Sequence, residues 1–154
     1  KLYLKMKKIF FFCLLILIHN CTGYSPIFTS DQTNFYIEKI EINNEDKLIR
    51  KFVKNLKPYS VENGKQKILL KLDLNKQENV IMKDAKGDPA SYEIKLTLKA
   101  DIITDKGVQK VSFNENFSFN NQSNKFELKQ YIKNVEVTLI NKIFENLIMK
   151  LRSI

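Results

Sequence analysis

The segment SYEIKLTLKADII, residues 91–103, decides the fold of this chain, because its apolar and polar side chains alternate along its whole length. The apolar side chains share one parity: Tyr92, Ile94, Leu96, Leu98, Ala100 and Ile102. The polar side chains share the other: Ser91, Glu93, Lys95, Thr97, Lys99 and Asp101. Because successive strand residues point to opposite sides of a sheet, this pattern predicts an antiparallel strand with one buried face and one wet face.

The sequence on both sides of this segment predicts three further strands. Residues 104–107 (TDKG) fit a hairpin turn, and a last strand follows with Phe113 and Phe117 on its apolar side. Glu115 interrupts that apolar side, so we expect this strand to be partly open. Upstream, residues 67–74 (KILLKLDL) alternate as a strand, and residues 80–82 either extend it or form a short separate one.

The first strand covers residues 35–42 (FYIEKIEI), which are aromatic and β-branched at alternate positions. The alternation slips, because Phe35 and Ile37 have one parity whereas Ile40 and Ile42 have the other. Either a β-bulge or burial on both faces explains the slip.

Two helices are predicted from apolar residues at helical spacing. The first is capped by Asn43 or Asn44 and ended by Pro58, and the second begins after a capping box formed by Asn124 and Glu127. The stripe of the first helix consists of Leu48, Ile49, Phe52, Val53 and Leu56. The stripe of the second extends to Leu151 through Leu128, Ile132, Val135, Leu139, Ile143 and Leu147, with Phe144 and Ile148 beside it.

The order of elements is therefore strand, helix, strand, strand, strand, helix. It predicts an α+β domain over residues 35–154 with one mixed, mostly antiparallel sheet of about four strands. A helical crossover makes the first two strands parallel if they are neighbours. Both amphipathic helices are expected to pack on one face of the sheet, leaving the charged alternates on the other.

Residues 1–20 have the pattern of a secretory signal peptide. Met6, Lys7 and Lys8 form a basic start, and residues 9–18 (IFFFCLLILI) are uncharged and apolar. This run is shorter than the roughly 20 residues that a transmembrane helix needs. We therefore expect residues 1–20 to be a signal peptide whose true start is Met6.

Cys21 follows this run directly and resembles the acylated cysteine of bacterial lipoproteins. The resemblance implies lipid attachment at Cys21, with acyl chains holding the protein at a membrane and residues 21–34 as a tether. By the same resemblance, Thr22 in place of an aspartate favours the outer membrane. The alternative is ordinary secretion with an unmodified Cys21.

The charge of the chain argues against nucleic acid as a partner. The whole sequence has 26 basic and 17 acidic residues, a net charge of +9. Four lysines, Lys1, Lys5, Lys7 and Lys8, leave with the predicted signal peptide, which brings the balance down to 22 against 17, or +5. Much of the apparent basicity is thus a targeting signal, and we expect no nucleic-acid binding.

Catalytic chemistry is nearly absent from the sequence. The one histidine, His19, lies in the predicted signal peptide, and there is no Gly-rich phosphate loop and no GxSxG motif. The acidic pairs Glu38/Glu41 and Glu45/Asp46 fall at strand or cap positions. We therefore expect a protein that is not an enzyme, with no catalytic residue, no cofactor and no metal site.

The wet face of the predicted sheet is the remaining candidate for function. It carries four lysines that can meet across strands: Lys67, Lys71, Lys95 and Lys99. Because Asp73, Glu93 and Asp101 share this face, it is either a solvated, charge-balanced surface or a contact for an anionic amphiphile or a partner's wall. Lys125 and Lys129, at the start of the second helix, add to the basic character nearby.

The run CTGYSPIF, residues 21–28, resembles the start of the LptE family of outer-membrane lipoproteins, with Thr22 as an extra residue. The order of elements after it is also similar to that family. The resemblance implies a plug and assembly accessory of an LptD-like β-barrel that inserts lipopolysaccharide at the cell surface. It also implies contact with lipopolysaccharide through basic residues, for which Lys95, Lys99, Lys125 and Lys129 are the candidates. The protein would be lipid-anchored, facing the periplasm or sitting within the barrel lumen.

Two other functions are compatible with the sequence. A stand-alone periplasmic lipoprotein could bind an amphiphile by itself, which requires a cavity of about 300–1,000 Å³. An auxiliary lipoprotein of another envelope transporter would have a similar size and anchor. The identity of the partner separates that function from the plug.

Overall fold

The computed structural model describes residues 33–62 and 66–154. The predicted signal peptide, Cys21 and the tether up to residue 32 lie outside the described residues. The elements in chain order are β1 (Phe35–Ile42), α1 (Lys47–Leu56), a 3₁₀ turn (Lys57–Ser60), β2 (Gln66–Lys83), β3 (Pro89–Thr104), β4 (Gly107–Asn120) and α2 (Lys125–Arg152).

One sheet contains all four strands in the order β1-β2-β3-β4. β1 pairs parallel with β2, whereas β2 with β3 and β3 with β4 are antiparallel. The crossover from β1 to β2 runs through α1, and α2 returns over β3 and β4. The predicted α+β class, with a mixed four-stranded sheet and two helices on one face, is confirmed.

The core lies between the helices and the apolar face of the sheet. The buried strand residues alternate as predicted: Ile68, Leu70, Leu72 and Leu74 on β2, and Ile94, Leu96, Leu98, Ala100 and Ile102 on β3. The helices bury the opposing stripes, chiefly Ile49, Phe52, Leu56, Leu139, Ile140, Ile143, Leu147 and Ile148. Each such side chain stabilises the fold by about 1.5–3 kcal/mol relative to an exposed position.

A β-bulge explains the slipped alternation of β1. The pairing of β1 with β2 shifts register between Ile37 and Lys39, so Glu38 is the extra residue. Before the bulge Phe35 and Ile37 are buried, and after it Ile40 and Ile42 pack against the core. The second explanation, burial on both faces, is not needed.

The cap predicted for the first helix is wrong. The residue at the N-cap is Asp46, whose Oδ1 accepts hydrogen bonds from the backbone N–H of Leu48 at 2.7 Å and of Ile49 at 2.9 Å. Asn44 donates instead to Asp73 on β2, at 3.3 Å. A carboxylate is favoured over an amide here because it also interacts with the positive end of the helix dipole. At α2, the predicted cap is confirmed: the side chain of Asn124 accepts from the N–H of Phe126 and of Glu127.

The structure decides between the two alternatives for residues 80–82 and corrects the prediction for Ser91. Residues 80–82 extend β2, which continues to Lys83. Ser91, predicted on the wet face, is buried, because it lies opposite Met82 where the register of β2 shifts. In the described ranges 33–62 and 66–154, neither helix has the combination of length and apolar character that a membrane crossing requires.

Candidate interaction surfaces

The side of the sheet away from the helices is called the open face here. It consists of the odd-numbered residues 67–79 of β2 and 93–103 of β3 and the even-numbered residues 108–120 of β4. Cross-strand pairing arranges its polar centre in rows: Asp73–Lys99–Ser112, Asn75–Thr97–Asn114 and Gln77–Lys95–Asn116. Directly opposite side chains lie about 4.5–5.5 Å apart, close enough to bond to one another.

Hydrogen bonds within the open face hold its amide side chains in place. Thr97 Oγ1 donates to Asn114 Oδ1 at 2.8 Å, and Asn116 Nδ2 donates to Glu93 Oε1 at 2.9 Å. Both bonds join β3 to β4 on the exposed side. The amides and hydroxyl at the centre of the open face therefore form a layer of polar groups that are hydrogen-bonded to one another.

Ion pairs at the β1 edge neutralise two of the predicted lysines. Lys67 Nζ lies 2.6 Å from Glu38, and Glu41 binds both Lys39 at 2.8 Å and Lys71 at 3.2 Å. The hydrogen bond with Glu38 raises the pKa of Lys67. The hydrogen bonds from Lys39 and then Lys71 lower the pKa of Glu41. These pairs are solvent-exposed, so salt screens them and they add little to stability.

Lys95 and Lys99 remain without an ion pair in the part of the chain that the structure describes. The acids near them are bonded elsewhere, since Asp101 pairs with Lys110 at 3.8 Å and Asp73 accepts from Asn44. Both lysines border a shallow depression of about 230 Å³, which is also lined by Asp73, Asn75, Gln77 and Thr97. The centre of the open face is thus polar, with two positive charges that have no ion pair among the described residues.

A second surface lies where the β2–β3 hairpin meets the start of α2, and we call it the α2 end. It comprises residues 80–82, 117–122 and 125–131. Lys125 and Lys129 are exposed one helical turn apart on α2. Large apolar side chains are also exposed here, at 70% for Phe126 and 55% for Met82. Cations and exposed apolar groups therefore occur together at this end of the molecule.

Aromatic rings stiffen the α2 end. The ring centroids of Tyr92 and Phe119 are 5.8 Å apart, and those of Phe119 and Tyr131 are 5.6 Å apart in an edge-to-face arrangement. Phe117 stands 6.5 Å from Tyr131. Such pairs contribute about 0.5–1.5 kcal/mol each beyond the area they bury. The first turns of α2 are thereby fixed against β4.

A pocket of about 490 Å³ opens beside these rings. Its lining is Ile81, Ser91, Ser118, Phe119, Asn120, Asn121, Gln122 and Tyr131. Asn121 ties the pocket to the hairpin, because its N–H and its Nδ2 donate to Ala90 O and Pro89 O, each at 2.8 Å. Its Oδ1 is buried with no hydrogen-bond partner among the described residues. The pocket is therefore held to the hairpin by Asn121 and is lined by aromatic faces and polar side chains.

The four predicted ligand-binding lysines do not form one cluster. Lys95 and Lys99 project from the open face, whereas Lys125 and Lys129 belong to the helix layer on the other side of the sheet. The structure thus provides two separate basic surfaces. The pocket at the α2 end could not be predicted from the sequence, because its lining comes from four segments that strand pairing and the packing of α2 bring together.

The described ranges contain no group of acidic, histidine and cysteine side chains able to hold a metal ion.

An ion pair joins the sheet to the helix layer: Lys76 Nζ of β2 lies 2.6 Å from Glu136 Oε1 of α2, with 27% and 16% of the side chains exposed. Burial lowers the pKa of Lys76, but the hydrogen bond and charge of Glu136 outweigh it and raise the pKa above 10.5.

Replacing Glu136 by alanine is expected to lower the free energy of unfolding by about 1–3 kcal/mol, because Lys76 keeps a partly buried charge without its main partner. Glu145→Ala, at an exposed position of the same helix, is expected to change it by less than about 0.5 kcal/mol. Urea unfolding of the three proteins measures both values. Equal losses in the two variants would contradict the role assigned to the pair.

The same pair predicts a pH dependence. A raised pKa in the folded state means that the contribution of Lys76 is complete below pH 10.5 and is lost as the pH rises through the folded-state value. The difference in stability between the wild type and Glu136→Ala should therefore shrink when urea unfolding is repeated at increasing pH above 10.5. A difference that grows with pH would show that the sign is wrong.

No protein-family model matches this chain, and no curated protein matches its sequence. Solved structures with a similar fold exist. Rare lipoprotein B from Shewanella oneidensis is similar at a TM-score of 0.53 and 12% identity, over 73% of this chain and 95% of that one. Lipoprotein B from Nitrosomonas europaea is similar at 0.56 and 8%, over 85% and 89%.

A minor lipoprotein from Acinetobacter baumannii is also similar in structure, at a TM-score of 0.51 and 10% identity, over 78% of this chain and 93% of that one. At these identities the likeness concerns the fold alone. Because each likeness covers most of both chains, the strand–helix–three-strand–helix arrangement is shared as a whole.

Proposed function

We propose that this chain is a lipid-anchored outer-membrane lipoprotein that acts without catalysis, as a plug and assembly accessory of an LptD-like β-barrel that inserts lipopolysaccharide. The observation that carries the proposal is the open face, whose central rows are polar although the helices pack on the other face of the sheet. The structurally similar proteins are described as lipoproteins, and the sequence places a candidate acylation site at Cys21.

The open face suits a barrel lumen because the interior of a transmembrane β-barrel is polar. A polar wall binds a polar sheet best when neither side carries large apolar patches or many unpaired charges. The bonded layer of Thr97, Asn114 and Asn116 meets that requirement. Lys95 and Lys99 would then supply the two charges that select and orient a partner with acidic groups facing its lumen.

The α2 end suits the lipopolysaccharide itself. The substrate carries phosphates and acyl chains, so it needs cations and apolar side chains side by side. Lys125 and Lys129 offer point charges that bind phosphate, and they lie on the first turns of α2, where the helix dipole also favours an anion. Phe126 and residues 80–82 provide the exposed apolar groups.

The test is a crosslinking pull-down of the tagged chain from the native envelope, with mass spectrometry of the bait and its partners. We expect a large outer-membrane barrel among the partners and acyl chains on Cys21. The double variant Lys95→Glu/Lys99→Glu should recover at least about tenfold less barrel, since each of two charge contacts of about 0.5 kcal/mol turns from favourable to unfavourable, a change of about 2 kcal/mol in total. Unchanged recovery would remove the open face from the interface.

The control for this variant is Lys51→Glu/Lys142→Glu, which alters the net charge equally at exposed positions on the helices. Equal losses in both double variants would mean that overall charge, not the open face, decides recovery. Recovery of an inner-membrane transporter instead of a barrel would favour the auxiliary role. An unmodified Cys21 would remove the anchor from the proposal.

A second candidate function is supported by the pocket at the α2 end. Its volume of about 490 Å³ lies within the range of small-ligand sites, and its lining combines Phe119 and Tyr131 with amides and hydroxyls. A lipoprotein binding an amphiphile on its own would use this pocket. Purified chain that retains a lipid with no barrel recovered from the envelope would favour this function over the plug.

A further inference from the structure

The open face has one apolar row, at the end opposite the α2 end. Leu69 of β2 pairs directly with Ile103 of β3, which pairs with Val108 of β4. Leu69 is the one apolar residue among the odd positions 67–79, and Ile103 is the one among the odd positions 93–103. Val108 is 56% exposed. Three adjacent, partly exposed aliphatic side chains on an otherwise polar face indicate an interaction surface.

A groove runs along this row. It has a volume of about 620 Å³ and is lined by Gln66, Lys67, Leu69, Ile103, Thr104, Asp105 and Lys106. Lys67 at its border is paired with Glu38, and Lys106 Nζ lies 3.5 Å from the carbonyl oxygen of Ile154. The groove therefore combines aliphatic walls with cationic side chains at its border, which fits an extended peptide with apolar side chains.

The N-terminal part of the chain enters the fold at this same end. Thr33 is buried, and Asn34 O accepts a hydrogen bond at 3.1 Å from the N–H of Gln66, a residue that lines the groove. The 32 residues before Thr33 lie outside the described residues. Their last stretch, YSPIFTSDQ (24–32), holds three large apolar side chains and one charge, the acid Asp31.

We propose that residues 24–28 of the same chain dock on the row formed by Leu69, Ile103 and Val108. Ile27 and Phe28 supply the apolar side chains, and Pro26 keeps the residue before it extended. Asp31 follows within reach of Lys106 at the border of the groove. The proposal needs neither acylation nor a barrel, so it is independent of the proposed function.

The length of the link permits this docking. The row is level with Lys39 of β1, about 17 Å along the strands from Thr33. Leu69 is therefore about 18 Å from Thr33, and Ile103, two strand spacings to the side of β1, is about 20 Å away. Phe28 and Ile27 are five and six residues from Thr33, which span at most about 17 and 20 Å when extended, so an extended link brings their side chains to Leu69 and Ile103. The alternative occupant of the row is a second copy of the chain. In that arrangement Ile27 and Phe28 would remain in water, so docking of the chain's own segment is favoured.

Docking of residues 24–28 would fix the orientation of the domain relative to the N-terminal residues of the chain. The row and the α2 end are separated along β3 by the 12 residues from Ile103 to Ser91, or about 40 Å. With residues 24–28 held on the row, only a few residues would link Cys21 to the domain. The α2 end would then point away from the anchor.

The test replaces Phe28 by the photo-reactive amino acid benzoylphenylalanine in the full chain, expressed from its own leader and irradiated in cells. We expect an intramolecular crosslink from position 28 to the peptides that contain Leu69, Ile103 or Val108. Its yield should fall about tenfold in Ile103→Lys and in Val108→Lys, because a tenfold change corresponds to about 1.4 kcal/mol, the scale of one buried aliphatic side chain.

The matched control is Thr97→Lys, on the open face of the same strand as Ile103 but in the polar centre, which should leave the yield unchanged. Val108→Lys serves as the second variant because Val108 is mostly exposed, so this substitution is not expected to prevent folding. Adducts between two copies, to lipid or to another protein would overturn the proposal, as would an absent crosslink or one that none of the variants alters.

Discussion

Replacing Phe52 by alanine is expected to lower the free energy of unfolding by about 3–5 kcal/mol, the cost of removing a fully buried aromatic ring. Phe52 is 0% exposed, and its ring centroid stands 6.2 Å from that of Phe144 in an edge-to-face arrangement. The ring joins α1 to α2 over the parallel half of the sheet. Because domains of this size are stable by about 5–15 kcal/mol, the loss is a large fraction of the total.

Phe126→Ala is the matched control, since it makes the same change of side chain where 70% of the residue is exposed. We expect the control to change the free energy of unfolding by less than about 0.5 kcal/mol. Urea unfolding followed by circular dichroism measures both. A loss of similar size in the two variants would mean that α1 is not anchored through Phe52.

The largest functional effect is expected from Lys125→Glu/Lys129→Glu. Binding of purified protein to lipopolysaccharide should weaken about tenfold or more, because each exposed contact with phosphate contributes about 0.2–1 kcal/mol and reversal replaces attraction with repulsion. The effect should be greatest at low salt, since screening shortens the range of the interaction to about 8 Å at physiological ionic strength.

This variant distinguishes binding from folding. Glutamate near a helix N-terminus is stabilising, so the substitutions are not expected to unfold the start of α2. The comparison is with Lys51→Glu/Lys142→Glu, which carries the same change in net charge away from the α2 end. Binding by a fluorescent lipopolysaccharide titration should separate the two double variants. If both weaken equally, the α2 end is not the site.

Local patterns were enough to predict most of the elements. The strict alternation in residues 91–103 required a strand with one buried face, and the helical stripes required two helices over that face. The shift of side-chain parity in β1 is also visible in the sequence, and the structure shows that a bulge at Glu38, one of the two explanations left open, causes it. These predictions succeed because period and capping depend on residues close together in the chain.

The position of polar groups inside the sheet was harder to predict. Lys76 and Glu115 share the helix-facing side of their strands; Glu115 interrupts the predicted apolar side of β4, and Lys76 lies beyond the segment 67–74 that the alternation marks as a strand. Both are accommodated by α2, Lys76 by Glu136 and Glu115 by Asn146, whose Nδ2 donates to it at 3.2 Å. A partner that lies 31 or 60 residues away cannot be inferred from local spacing.

The sequence by itself determined the α+β class, the order of the elements, the buried face of each strand and the cap of the second helix. Only the tertiary structure decided which exposed residues are neighbours: it separated Lys95 and Lys99 from Lys125 and Lys129, and it aligned Leu69, Ile103 and Val108 in one row. The physical reason is that burial follows from the period of a single element. A surface site depends on the register between elements, which non-local pairing and packing set.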